Sequence, residues 1–588
     1  MKKTIALICM ILLSLNFLFA TNLQKVYTTR DSVYKRIEAL CNRAGVIGPS
    51  SFSPMSANTL INALERINQS ELSEFDKKEY QELYAELTSE NYIFKSENFY
   101  VDIIPGINLG VNIADYKDFD YGNTNSETPM PNRKENTLVT YRYEDALLSV
   151  GLNMAFGDHI YLDSRFDLKN PNHVMFESTL GFLFTSTTEN KGIAAEWPHR
   201  AGASIGNDYI SFIFGRFPHS VGSGVTGNLI IGDNFDYQEI AVLSLMSNYF
   251  SYNISITRFD QQDIYENHGF LRNKFSGDQQ VRVLHRFDIN IVNKARIVLN
   301  LATLYNASSF FDLRFFYPFM LSHNYYDYTN GIGKSSFDEA NNILSIEAEW
   351  NIIKGLTASA QIAVDQFQMP WEKYTDLPIA FGVLGNLKYS AKVGKGTLNS
   401  WFEVVYTNPY LYLNAKYFSE MAGDKVINLI DYNLDYIVGY HSNYFDDYGY
   451  SGYVYGPDSI VFSIGTAYTD EKEKFEIGGN ILYKISGTKG VRHYVKSAHN
   501  TIIDMSNAVI EEKPEDFMSN TITPSGGWKT AEHLLKLALY GNYNFGEYSW
   551  GNVKLYTAAG FNTYFNYNHN IGQTEFQPQW MFGVEYTY

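Results

Sequence analysis

Two periodicities divide the chain. From about Asp31 to Leu87 the apolar positions recur at helical spacing. Val33, Ile37, Leu40 and Cys41 share one face; Leu60, Ile61, Leu64 and Ile67 make a second stripe; Tyr80, Leu83, Tyr84 and Leu87 make a third. Gly45, Gly48, Pro49 and Pro54 break the first helix from the second. Ser56 is placed to cap the second, and Ser73 with Asp76 three residues on opens the third in a capping-box pattern. The pattern predicts a small three-helix domain within residues 21–95.

From about Phe99 the period falls to two. Leu344, Ile346, Ala348 and Trp350 alternate with Ser345, Glu347 and Glu349; beyond a turn at Lys354 and Gly355, Ala358, Ala360, Ile362 and Val364 alternate with Ser359, Gln361 and Asp365. This is a hairpin with one apolar and one polar face. Residues 146–168 repeat the design around Gly157 and Asp158, and 533–543 with 549–561 repeat it around Gly546. The stretch WMFGVEYTY, Trp580 to Tyr588, alternates too. It puts Phe582, Val584, Tyr586 and Tyr588 on one face and Gly583, Glu585 and Thr587 on the other. Tight turns alternate with long polar connections, at about 115–136, 260–279 and 493–528.

A strand with one greasy and one polar face suits a wall between lipid and water. In lipid every backbone N–H and C=O must be paired within the protein, so only helices and closed barrels can span. The expected fold is an all-β transmembrane barrel of the outer-membrane kind, residues 96–588, preceded by the helical bundle. At about 27 residues per strand plus connection, its length gives roughly 18 antiparallel strands. The terminal stretch is then the last strand, with Phe582, Val584, Tyr586 and Tyr588 toward lipid, closing the sheet against the first.

Composition agrees. Among 588 residues 16% are aromatic, with 46 Tyr and 40 Phe, while mean hydropathy is only −0.24. Barrels combine low mean hydropathy with aromatic girdles at the two interfaces. Met1–Ala20 has a positive start, an apolar run too short to span and a small residue at Ala20, the pattern of a secretory signal peptide. Beyond it Cys41 is the one cysteine, on an apolar helical stripe, which reads as a core residue. The net charge of −18 argues against nucleic acid, whose phosphates need clustered Lys and Arg.

The motifs are mostly negative evidence. Gly222–Gly227, GSGVTG, satisfies G-x-G-x-x-G, but no helical period follows, so it reads as a glycine-permissive turn rather than a dinucleotide site. His219 and Ser220 are adjacent, and neighbours on a strand face opposite ways. The sequence offers no metal-ligand spacing and no catalytic constellation, so neither metal, cofactor nor enzymatic activity is expected. The segment 431–459 is dense in Tyr, Asp, Asn and Gly. Aromatic faces stack on the C–H faces of sugars, and carboxylates and amides exchange hydrogen bonds with hydroxyls. Tyr444, Asp446, Asp447, Tyr448, Tyr450 and Tyr453 are the candidate carbohydrate ligands. The competing reading is an interface girdle at Tyr436 and Tyr440 followed by a solvated loop.

GRFPHSVGSGVTGNLIIGDN, Gly215 to Asn234, resembles a pattern in the Wzi-type capsule-assembly family of outer-membrane proteins. FDLRFFYPFMLSHN (311–324), Asp365-Gln366-Phe367 and YGPDS (455–459) follow in the same order as similar segments of that family, and the helical start is similar too. The resemblance implies an 18-stranded barrel with a periplasmic helical bundle and long loops outside, in the outer membrane of a diderm bacterium. It also implies a lectin that holds surface or capsular polysaccharide. The alternating strands themselves would meet outer-membrane lipid, and the terminal aromatic strand the barrel assembly machinery during biogenesis. A porin or other diffusion channel is the alternative, since polar strand faces and acidic charge also suit a cation-favouring pore.

Overall fold

The computed structural model describes residues 22–88, 94–96, 99–114, 148–169, 180–182, 194–233, 235, 237–259, 279–307, 317, 341–366, 379–422, 425–434, 437–441, 446–470, 474–488, 502–504, 522–548 and 551–587. The leader expected at Met1–Ala20, most of the three long connections and most of the 311–324 segment lie outside them.

The period-two region forms the strands β1 (Phe99–Ala114), β2 (Leu148–Phe156), β3 (Ile160–Lys169), β4 (Ala194–Gly206), β5 (Ile210–Phe217), β6 (Gln238–Met246), β7 (Phe250–Phe259), β8 (Gln279–Val292) and β9 (Ala295–Ala307). It continues with β10 (Asn341–Ile353), β11 (Leu356–Gln366), β12 (Ala380–Val393), β13 (Gly396–Thr407), β14 (Ser459–Asp470), β15 (Phe475–Ser486), β16 (Glu532–Tyr548), β17 (Gly551–Phe565) and β18 (Thr574–Thr587). Each pairs antiparallel with its neighbours, and β18 pairs β1 from Gln579↔Ala114 to Thr587↔Gly106, closing an 18-stranded barrel. The expected last strand therefore is the closing one.

Side-chain alternation assigns the two faces. On β10, Ser345, Glu347, Glu349 and Asn351 are buried inside, while Ile346 and Trp350 face outward, 53% and 56% exposed. On β11, Ser359 and Gln361 point in and Ile362 out. On β18, Gln577 and Gln579 point in while Phe576, Trp580 and Phe582 point out. An apolar outer belt on a closed sheet is the surface that hydrocarbon requires.

Connections sort by end. At one end the hairpins turn tightly, as at 157–159, 207–209, 247–249, 293–294, 354–355 and 394–395. The intervening connections at the other end are mostly long. At Lys354–Gly355 the backbone needs a left-handed residue, φ +90°, and glycine supplies it without a Cβ penalty.

The helices are α1 (Ser32–Ala44), α2 (Ala57–Glu65) and α3 (Glu74–Thr88). Their stripes pack together as expected, except that Tyr84 is exposed. Cys41 is fully buried, and that burial pushes its thiol up to about 11. Ser73 and Asp76 do form the capping pair, with the Asp76 N–H donating to Ser73 Oγ at 3.2 Å. Ser56 occupies the N-cap of α2 without a capping bond from its side chain. Instead the first amides of α2, Ala57 and Asn58, donate to the carbonyls of Lys25 and Leu23 at 2.8 and 3.1 Å.

This helical region docks on the tight-turn end. The Gly355 N–H donates to Asn42 O at 2.8 Å, the Ile47 N–H to Asn293 O at 2.8 Å, and Asn58 Nδ2 to Asp208 O at 2.7 Å. Lys388 Nζ pairs with Glu38 at 2.8 Å, and Arg43 joins Asp76 of α3 to Ser390 of the wall.

Candidate functional site

The lumen is partly filled by chain inserted from both ends. From the helical side, residues 46–56 enter: Arg296 holds the Gly48 and Pro49 carbonyls at 2.8 and 3.1 Å. Phe52–Ser53 then pairs with Ser220–Val221 of the β5–β6 connection. That connection folds inward because its apolar run Leu229-Ile230-Ile231 finds cover there; all three are fully buried. From the long-connection end come Tyr410–Tyr412 and Ser451–Gly456. Tyr453 N–H donates to Tyr412 Oη at 2.8 Å, and that hydroxyl donates to Leu229 O at 2.6 Å.

The glycine-rich turn is built around an internal carboxylate. Gly222 and Gly227 have φ of +126° and +141°. Between them the Val225 and Thr226 N–H groups donate to Glu403 at 2.6 and 2.8 Å, and Asn386 Nδ2 adds a third contact at 3.3 Å. Those amides are what a bound anion would use, and β13 already satisfies them. His219 and Ser220 likewise have separate partners. The His219 Nδ1 faces the Ser53 carbonyl, while Ser220 Oγ accepts from Asn228 Nδ2 at 3.0 Å.

Beneath this filling lies a buried ionic cluster. Arg286 pairs with Asp288 at 2.8 Å and Glu347 at 3.3 Å; Arg296 pairs with Glu349 at 3.0 Å. Asn300 and Gln361 donate to Glu347 at 2.6 and 2.9 Å, so its charge is supported by hydrogen bonds as well. Such a cluster, buried and cross-connected across β8–β11 and to Ser51, fixes the inserted segment in one arrangement.

Along the other half of the wall, β13–β18, a cavity of about 1300 Å³ remains. Its lining runs from Glu38 on α1 to Glu532 and His569 at the opposite end. Between them the inward positions carry aromatic, amide and ammonium groups, with hydroxyls and the carboxylates Glu476 and Glu585. Lys536 Nζ lies 3.1 Å from Tyr455 Oη, and Lys484 sits over the same ring at 5.1 Å. The arrangement can stack on, and hydrogen-bond to, a polyol. Among the described residues no group of three or more His, Cys, Asp or Glu is placed to hold a metal.

The sequence candidates separate. Tyr453 is fully buried, and its hydroxyl lies 2.9 Å from Thr226 Oγ1, because the chain after Tyr450 turns into the lumen. Asp446–Tyr450 forms a strand paired antiparallel with Ile437–His441. Tyr444 lies outside the described residues. Sequence reasoning missed Trp401, Tyr455, Lys484, Lys536 and Tyr540. Except for Tyr455, they are inward positions of strands, and extending the period-two register through β13, β15 and β16 would have found them.

No family model matches the chain, and no characterised protein matches it in sequence. Among solved structures it resembles Wzi of Escherichia coli, an outer-membrane protein involved in group 1 capsule assembly and described as a carbohydrate-binding β-barrel. The TM-score is 0.52 at 13% identity, over 96% of this chain and 99% of that one. The outer-membrane channel DcaP of Acinetobacter baumannii gives a TM-score of 0.32 at 8% identity, over 85% of this chain and 100% of that one. OccD3 of Pseudomonas aeruginosa gives 0.40 at 9%, over 83% and 91%. The class is thus an outer-membrane-type β-barrel with a docked helical region and a partly filled lumen.

Proposed function

We propose that this protein sits in the outer membrane of a diderm bacterium as a lectin-like barrel, binding surface or capsular polysaccharide and supporting its assembly at the cell surface. The helical region lies on the periplasmic side, at the tight-turn end, and the long connections face outside. The observation that carries the reading is the filled half of the lumen. Buried ion pairs and the inserted segments make the barrel a fixed scaffold, suited to presenting its outer connections. The shared fold with a carbohydrate-binding barrel, helical region included, supports the same reading. Asp446, Asp447, Tyr448 and Tyr450 are the outer residues that contact sugar, and the protein binds its glycan without cleaving it.

The test is binding of the purified full chain to polysaccharide extracted from its own cells, beside the quadruple variant D446A/D447A/Y448A/Y450A. Saturable binding weakened about tenfold or more by the variant is expected. The second reading, a diffusion channel, is favoured by the 1300 Å³ cavity. Absence of polysaccharide binding together with steady conductance in planar bilayers would move the assignment there.

A further inference from the structure

The cavity wall contains two aromatic rings laid over glycines. Trp401 on β13 faces Gly465 on β14 across the sheet, and Tyr540 on β16 faces Gly478 on β15. A Cβ on Gly465 would lie 2.1 Å from Trp401 Cζ2 and 2.6 Å from both of that atom's ring neighbours. Those three distances place the point above the ring, not beside its edge, so the indole lies face-down on the strand. A Cβ on Gly478 would lie 2.5 Å from both Cζ and Oη of Tyr540, so the phenol end crosses that glycine in the same way. Side chains at Gly465 or Gly478 would lift the rings off the wall. The indole is further pinned by its Nε1–H, directed at Ser463 Oγ at 3.4 Å.

Both rings line the cavity, and so do the residues around them. In register, Gly465 pairs with Asn480 and Ala467 with Gly478; Asn480 pairs with Ala538, and Tyr540 with Ala558. The small side chains leave a shallow hollow between the rings. Asn399 and Asn480 flank it, and Asn542, held by Glu476 at 3.2 Å, borders it on the turn side. The two glycines are diagonal neighbours on adjacent strands, which sets the platforms about 8 Å apart.

We infer that this hollow is an intraluminal saccharide subsite, taking uncharged pyranose units of an oligosaccharide. Flat rings meet the axial C–H face of a pyranose, and side-chain amides both donate to and accept from its hydroxyls. One carboxylate, Glu476, borders the site, hydrogen-bonded to Tyr540 and to Asn542; it can accept from sugar hydroxyls and repels an anionic unit, while the other groups beside the rings are amides and small apolar side chains. The site is distinct from the outer residues at 446–450 and shares with the proposed function only the class of ligand, for which it rests on that reading.

The alternative role of such rings is structural: an aromatic side chain covering a strand glycine stabilises the sheet. Stability alone therefore does not test the inference, and binding does. The full-length protein in detergent is titrated with maltohexaose and with short oligosaccharides released by mild acid from its own cells' polysaccharide, following tryptophan fluorescence. Saturable binding is expected, weakened about tenfold in W401L and in Y540L and unchanged in the outer-residue variant. Circular dichroism checks the fold; should W401L fail to fold, W401F, which keeps a flat ring and most of the binding, takes its place beside Y540L. Wild-type affinity in the folded leucine variants would overturn the subsite, as would an intact protein that binds the polymer but neither oligosaccharide. The second result leaves the surface reading standing. Oligosaccharide binding that depends on Trp401 and Tyr540, without polymer binding, would uphold the subsite and remove the surface reading alone.

Discussion

Single residues decide how the lumen is closed, and Glu403 is the clearest. It is an inward residue of β13, 1% exposed, and its carboxylate serves two backbone amides and a hydroxyl of the glycine turn as well as the Asn386 amide. Hydrogen bonds to an ionised acceptor are worth roughly twice neutral ones, and buried donors left without a partner cost their full desolvation. Glu403→Ala should lower stability by about 3 kcal/mol in urea unfolding. Glu403→Gln, which keeps one carbonyl oxygen, should lose less. Equal stability of the alanine variant and the wild type would mean that other contacts hold the turn. The same residue explains why a formal nucleotide motif is not one here: its amides have an acceptor inside the fold.

At the level of elements, the two faces of each strand live in different solvents. Phe402, Ile464 and Ile481 lie side by side across β13, β14 and β15, all outward and 43–55% exposed. Ile464→Arg should therefore cost about 2–4 kcal/mol when folding is measured in lipid vesicles, the penalty for a cation at mid-depth on the lipid face. No loss would place this face away from hydrocarbon. These strands were legible in the sequence because period two is a local property: Glu347 and Ile346 announce opposite faces without knowledge of any partner. The helical stripes and the Ser73–Asp76 cap were legible for the same reason. The inserted segments were not. Leu229-Ile230-Ile231 reads as an apolar run inside a loop, and nothing near it in sequence says that Tyr412 and Tyr453 cover it. Tyr453 was grouped with its Tyr- and Asp-rich neighbours by composition, whereas its burial is decided by Thr226, far away along the chain. The two wall rings failed differently, since Trp401 and Tyr540 acquire meaning only when register sets Gly465 and Gly478 opposite them.

For the whole molecule, the helical region, the inserted segments and the barrel wall meet at His219. Its ring sits edge-on to Phe52 at 5.5 Å, its Nδ1 faces the Ser53 carbonyl, and its Nε2 lies 3.3 Å from Ser255 Oγ of β7. A carbonyl can only accept, so Nδ1 carries the proton and Nε2 accepts from Ser255. A second proton would remove that acceptor and place a charge beside Arg282 in a buried site. Burial first, and Arg282 second, push the imidazole down to about 3 from the usual 6.5. The sign follows from linkage. Between those values the unfolded chain binds a proton that the folded protein refuses, so the stability from this site is complete above pH 6.5 and lost as pH falls toward 3. The full loss amounts to about 4–5 kcal/mol. Buried carboxylates titrate in acid too, so the measurement is the difference between wild type and His219→Gln in urea unfolding across that range. The wild type should lead at neutral pH, and its lead should shrink steadily on acidification. Parallel curves would show that His219 is already solvated in the folded state, and that the three parts do not close around it.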